Sequence, residues 1–153
     1  MKTIILLFLN LITLMLVAQT TLNKELQFTE EEKAIREVAL DYLEGWYSAD
    51  TIRMAKALSK DLKKRGFIIN NKAKKEIIAN ATYPQMIRWT GEREDQLTLD
   101  NNIELKVEII DIGERIANVK TTTPDFIDYI HLGKIDGEWK IYNVIWEFKL
   151  PAK

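Results

Sequence analysis

His131 is the single histidine of the 153-residue chain and the one side chain that titrates near neutrality unaided. It stands in the run FIDYIH, residues 126–131. In a regular strand Asp125, Ile127, Tyr129 and His131 project to one side, and Asp128 projects to the other. Geometry therefore disfavours a dyad of Asp128 with His131, whereas Tyr129 can stand beside it. His131 as general base and Tyr129 as hydrogen-bond donor to a developing oxyanion would suit an isomerase or dehydratase. Asn143, on the next strand, comes opposite His131 if the turn at Asp136 includes three residues. The plainer reading of His131 carries more weight: a histidine hydrogen-bonded within a sheet or at a dimer surface.

Aromatic residues form a second constellation. Tyr42 and Trp46 lie one helical turn apart, while Trp89, Tyr129, Trp139 and Trp146 come from other elements. Four tryptophans in one small domain can line a slot for a flat ring, or simply fill a core. Core packing is favoured for Trp139, and the two readings balance for Trp46 and Trp89. Lys60, Lys63, Lys64 and Arg65 make a basic stretch. Its favoured reading is a solvated edge that discourages strand pairing; its sharper one sets Arg65 at a pocket mouth, holding an anionic or carbonyl group. Asp50 is accounted for as a helix cap. Asn80-Ala81-Thr82 matches a glycosylation acceptor.

Composition excludes more chemistry than it suggests. With no cysteine, disulfides, thiolate metal sites and a cysteine nucleophile are all absent, and one histidine removes most zinc constellations. No metal and no cofactor is expected. Acids number 23 against 22 bases, without a basic run of the kind that tracks phosphates, so no nucleic-acid partner is expected.

The elements that must position these residues follow from local pattern. Met1 to Val17 has one cation, Lys2, then an apolar run from Ile4 broken only by Asn10 and Thr13. The run is shorter than the about twenty residues of a spanning helix. With Ala18 behind it, residues 1–19 read as a signal peptide, and the protein as exported, periplasmic or secreted. An uncleaved anchor is the alternative, and Leu16 stands where a small residue is usual. Residues 20–28 are expected to be a flexible segment, and 29–150 a single domain.

Thr29 and Glu32 spell a capping box ahead of Ile35, Val38, Ala39, Tyr42, Leu43 and Trp46, an amphipathic helix. Asp50 opens a shorter helix carrying Ile52, Ala55 and Leu58. A polar stretch follows, then a short strand from Gly66 to Ile69, a partner from Glu76 to Ala79, and a brief helix opened by Thr82 and Gln85. Glu92 to Asp100 reads as a loop. From Ile103 the period becomes two, Gly113-Glu114 turns the chain, and Arg115 to Thr122 returns. After Pro124, two β-rich runs flank Asp136-Gly137 as a hairpin with both faces apolar or aromatic. Helices followed by four long antiparallel strands make an α+β fold, with a curved sheet covered on both sides.

Two segments, YLEGWYSADTIRMAKALSKDLKKRGF (42–67) and DYIHLGKIDGEWKIYNVIWE (128–147), resemble the lumazine-binding family of the nuclear-transport-factor-two-like superfamily. The resemblance covers nearly all of the chain after the leader and is weakest over 70–100. It implies a cone-shaped, strongly curved antiparallel sheet wrapped around the N-terminal helices, a pocket between them, frequent homodimerisation through the convex face, and a bacterial source. The superfamily hosts isomerases and dehydratases as well as pure binding and assembly modules, so fold does not select function. Family members often carry a His-Pro pair after the Ala-Leu of the second helix, where this chain has Ser59-Lys60.

Three functions are carried forward, in this order. The first is a non-catalytic binding module for a small, partly aromatic molecule, with Tyr42, Trp46, Arg65, Trp89, Tyr129, His131 and Asn143 as candidate ligand contacts. The second is a structural dimer whose cavity its own side chains fill. The third is an isomerase or dehydratase using His131 and Tyr129.

Overall fold

A computed structural model of the chain describes residues 28–70, 74–93 and 103–149. The expected leader and all of the flexible segment but Phe28 lie outside these residues, as does most of the expected 92–100 loop. The chain divides into two units, Met1–Lys33 and Ala34–Lys153, and the sheet, core and cavity all belong to the second.

Helix α1 (Glu30–Tyr47) opens on the capping box. The Thr29 N–H donates to Glu32 Oε2 at 2.6 Å, and the Glu32 N–H donates to Thr29 Oγ1 at 3.2 Å. Two amides that the helix cannot bond are thereby satisfied. Further along, Ile35, Ala39, Tyr42 and Leu43 recur at helical spacing and are buried. Ala49, at a left-handed φ of 55°, turns the chain. Asp50 then caps α2 (Thr51–Ala57), its Oδ1 accepting from the Ile52 and Arg53 amides at 2.9 and 3.0 Å. Gly45 permits this close corner, since a Cβ there would lie 2.9 Å from the Met54 backbone nitrogen. Asp41 bridges the two helices, accepting from Arg53 at 3.0 Å and pairing with Lys56 at 2.9 Å.

Strand β1 (Leu58–Asn70) follows at once, so the polar stretch and the short strand expected from Gly66 to Ile69 form one 13-residue strand. Its inward positions include Lys64 as well as Leu62, which broke the apolar alternation that marks a strand in sequence. Strand β2 (Lys75–Thr82) returns antiparallel and leads into α3 (Tyr83–Gly91). There the Thr82 N–H donates to Gln85 Oε1 at 2.9 Å. Strands β3 (Lys106–Ile112), β4 (Ile116–Thr122), β5 (Phe126–Ile135) and β6 (Glu138–Phe148) complete a six-stranded sheet in the order β2-β1-β6-β5-β4-β3. The sheet is curved, unclosed and mixed: β1 runs parallel to β6, and every other pairing is antiparallel. The architecture is α+β, with helices against the inner face.

The core lies between helices and sheet. Ile35, Ala39, Leu43, Met54 and Leu62 pack with Val119, Ile130, Leu132, Trp139, Ile141 and Val144. The β5–β6 turn has two residues, not three: Asp136 and Gly137 both take positive φ, 52° and 84°, between paired Ile135 and Glu138. His131 nevertheless pairs with Asn143, because the register slips by one residue between Leu132↔Ile141 and His131↔Asn143. Tyr142 is the extra residue, a bulge, and it keeps Ile141 and Val144 both buried.

Candidate ligand site

The inner face of β5 reads Phe126, Asp128, Ile130, Leu132, an apolar series interrupted by one carboxylate. Directly across the sheet, β1 sets Lys64 between Leu62 and Gly66 on the same face. Lys64 Nζ donates to Asp128 Oδ1 at 2.8 Å and to the Tyr42 hydroxyl at 2.5 Å. The Tyr42 hydroxyl in turn donates to the same carboxylate oxygen at 3.2 Å, and Thr121 Oγ1 reaches Oδ2 at 3.3 Å. The Asp128 side chain is 3 % exposed and that of Lys64 12 %. Such a pair is tolerated only because each charge finds its opposite and further hydrogen bonds.

These surroundings shift the titrations of Tyr42 and Lys64. Burial pushes the Tyr42 hydroxyl well above its ordinary value, and the Asp128 charge adds to the effect. Burial also draws the Lys64 ammonium below the usual lysine range, although the attraction of Asp128 opposes this. A lysine so placed releases its proton more readily than one in water. Tyr47, whose hydroxyl donates to Asp125 at 2.9 Å, is raised to about 12, chiefly by burial.

This cluster sits in the wall of a cavity of about 260 Å³ between α1, α3 and the inner sheet face. Tyr42, Leu43 and Trp46 come from α1, Met86 and Trp89 from α3, and Ala79 to Ala81 from β2. The sheet contributes Phe126, Trp146 and Phe148, three rings packed on one another with centroids 5.2 to 5.5 Å apart. Trp146 lies flat across β1 because residue 66 is glycine; any Cβ there would collide with the indole. Lys64 Nζ sits 5.0 Å from the Trp146 ring centroid and 5.2 Å from that of Tyr42. The indole Nε1 of Trp46 is buried without an acceptor among the described residues. The result is an aromatic slot whose charged station offers a cationic donor, a hydroxyl and a carboxylate, with Asn80 and Thr123 also in the lining.

Tyr42, Trp46 and Trp89 of the residues singled out from sequence line this cavity. Arg65, Tyr129, His131 and Asn143 stand together on the opposite face of the sheet. There Arg65 Nη1 donates to Asn143 Oδ1 at 3.1 Å, and Asn143 Nδ2 lies 3.1 Å from His131 Nδ1. Tyr129, beside them, is 48 % exposed. Arg65 is thus not at the pocket mouth, and no catalytic pair of His131 and Tyr129 reaches the cavity. Trp139 is a core residue. Sequence reasoning read Lys64 as part of a solvated edge and weighed Asp128 only as a partner for His131. The available signal was an acid at an inward position of an apolar strand, which demands a buried partner. No group of three or more His, Cys, Asp or Glu suited to a metal occurs among the described residues.

The family model described as "Putative lumazine-binding" matches residues 30–147. The chain belongs to this family. Solved structures agree on the fold of this lumazine-binding family member. An NTF2-like protein of unknown function from Shewanella baltica is 23 % identical, with a TM-score of 0.61 over 82 % of this chain and 100 % of that one. A ketosteroid isomerase-like protein from Erwinia carotovora atroseptica is 15 % identical, with a TM-score of 0.57 over 81 % and 100 %. A protein described as a putative scytalone dehydratase from Novosphingobium aromaticivorans is 19 % identical, with a TM-score of 0.51 over 78 % and 85 %. No curated protein matches the chain. Where lumazine-binding family members often carry His-Pro, Ser59 is buried and its Oγ accepts from the Asp61 amide at 3.2 Å.

Proposed function

We propose that this protein binds a small, flat, partly aromatic molecule in the cavity between its helices and the inner sheet face. The observation that carries the reading is the pairing of an aromatic slot with a buried charged station, Lys64–Asp128–Tyr42. Small-molecule sites have this composition: apolar walls that supply affinity, and a few polar groups that set orientation. The volume is close to the lower end of the about 300–1,000 Å³ typical of such sites, which suits one or two fused rings. The family description points to a heteroaromatic ring with carbonyl groups, and Lys64 and Tyr42 are donors suited to a ring carbonyl.

Three of the four tryptophans, Trp46, Trp89 and Trp146, line the cavity, so occupancy is read directly by tryptophan fluorescence. Titration with a panel of bicyclic heteroaromatics is expected to quench emission saturably and to raise the melting temperature. Trp46→Phe combined with Trp89→Phe removes most of the quenching. A panel that neither quenches nor stabilises sinks the reading. The filled-cavity alternative requires the void to be occupied by the protein's own side chains, and a void of about 260 Å³ speaks against it.

We further propose, from exposed Tyr129 and Ile145 on the outer sheet face, that two copies associate through that face; light scattering after size exclusion checks it. Export rests on residues 1–19 alone, and is tested by sequencing the amino terminus of the protein recovered from cells.

A further inference from the structure

The cavity holds a primary amine in a place where solvation does not account for it. A lysine needed only for charge would point outward, as Lys63 does on the same strand. Lys64 instead faces the aromatic slot with one acid and one hydroxyl on its nitrogen, Asp128 Oδ1 at 2.8 Å and Tyr42 Oη at 2.5 Å. Two of its three N–H positions have partners, and the third has no hydrogen-bond acceptor among the described residues, on a side chain that lines the cavity. We propose that Lys64 is a carbonyl-capturing nucleophile, forming an imine with an aromatic aldehyde or ketone seated in the slot. The inference rests on the reading of the cavity as a ligand site.

The step is balanced by groups already in contact. The Lys64 ammonium passes a proton to the Asp128 carboxylate, freeing the nitrogen lone pair to attack the carbonyl carbon. The carbonyl oxygen becomes a hydroxyl, taking its proton through Tyr42, whose hydroxyl touches both the amine and the carboxylate. The carbinolamine then expels water, carrying off two hydrogens that began on the ammonium nitrogen. The iminium left behind bears the same single positive charge as the ammonium it replaces. Asp128 returns to its carboxylate form as counter-ion, so no charge is stranded in the apolar wall. The desolvated amine releases its proton more readily than a surface lysine, and this favours the first step.

The test is reductive trapping. The full-length protein is incubated with naphthaldehyde and cyanoborohydride, which reduces the imine to a stable secondary amine, and labelled lysines are located by peptide mass mapping. The expected result is one naphthylmethyl group on Lys64, formed about tenfold or more faster than on any exposed lysine. Lys64→Arg, which keeps the charge beside Asp128, is expected to abolish that label while surface labelling persists. Naphthylmethanol, of the same shape but without an electrophile, separates the two readings through tryptophan quenching. Quenching by the alcohol with no label at Lys64 overturns imine formation and leaves ligand binding standing. Failure of both compounds to quench, with label only on surface lysines, overturns both. Because mapping is done on the wild-type chain, the result stands even if Lys64→Arg does not fold.

Discussion

Asp128 and Lys64 are each tolerable only because of the other. Removing one charge leaves its partner buried and unmatched, which typically costs about 3–5 kcal/mol. Asp128→Asn is expected to lower stability by that order in denaturant titration. An Asn keeps an oxygen acceptor for Tyr42 and turns its NH2, a donor, toward the Thr121 hydroxyl, so the loss belongs mainly to the stranded ammonium. Adding Lys64→Met to Asp128→Asn should therefore recover more than half of it; a double variant no more stable than the single one contradicts this account. The tyrosines give a pH signature. Tyr42 and Tyr47 are raised in the folded state, so above pH 10 the unfolded chain sheds phenol protons that the folded one retains. Stability is then lost as pH rises through the window between about 10 and 12. Phenolate absorbance of the native protein should lag behind that of the denatured protein across this range.

At the scale of elements, strand alternation decides which side of the sheet each group reaches. The basic stretch at 60–65 looked uniform as sequence, yet β1 sends Lys64 inward and Lys63 and Arg65 outward. Likewise Asp128 and Tyr129 are neighbours in sequence and on opposite faces in the fold. The helical caps at Thr29, Asp50 and Thr82 and the hairpin at Asp136-Gly137 were legible because each is written in three or four adjacent residues. The site was not, because it depends on which inward positions of β1 and β5 meet across β6, a register that no local signal encodes. Even the His131–Asn143 pairing, foreseen from a longer turn, arises from a bulge at Tyr142. Gly66 is the clearest element-scale test, since Trp146 occupies the space a side chain would need. Gly66→Ala is expected to cost about 1–3 kcal/mol through overpacking and to weaken ligand quenching in the same variant. Between α1 and α2, burial would raise the Asp41 carboxyl, but Lys56 and Arg53 outweigh it and hold it lowered. Its stabilisation is present above about pH 4 and disappears as pH falls through the lowered value. Asp41→Asn should accordingly destabilise by about 1–3 kcal/mol at neutral pH and by progressively less as pH falls through that lowered value.

Across the whole molecule, β6 comes last in sequence among the described strands and occupies a central place in the sheet, flanked by β1 on one side and β5 on the other. A growing polypeptide can pair β1 with β2, and β3 with β4, before Glu138–Phe148 is available. Neither β1 nor β5 has a neighbour for its inner edge until those residues arrive. The final eleven-residue strand acts as a keystone: it joins two half-sheets, brings Trp146 over Gly66, and draws Lys64 and Asp128 within reach of each other across its own width. Assembly of the sheet thus waits until β6 is available, when distant segments must find one another at once. A chain ending after the Asp136-Gly137 turn would hold every residue of the lysine–aspartate pair and have nothing to bring them together.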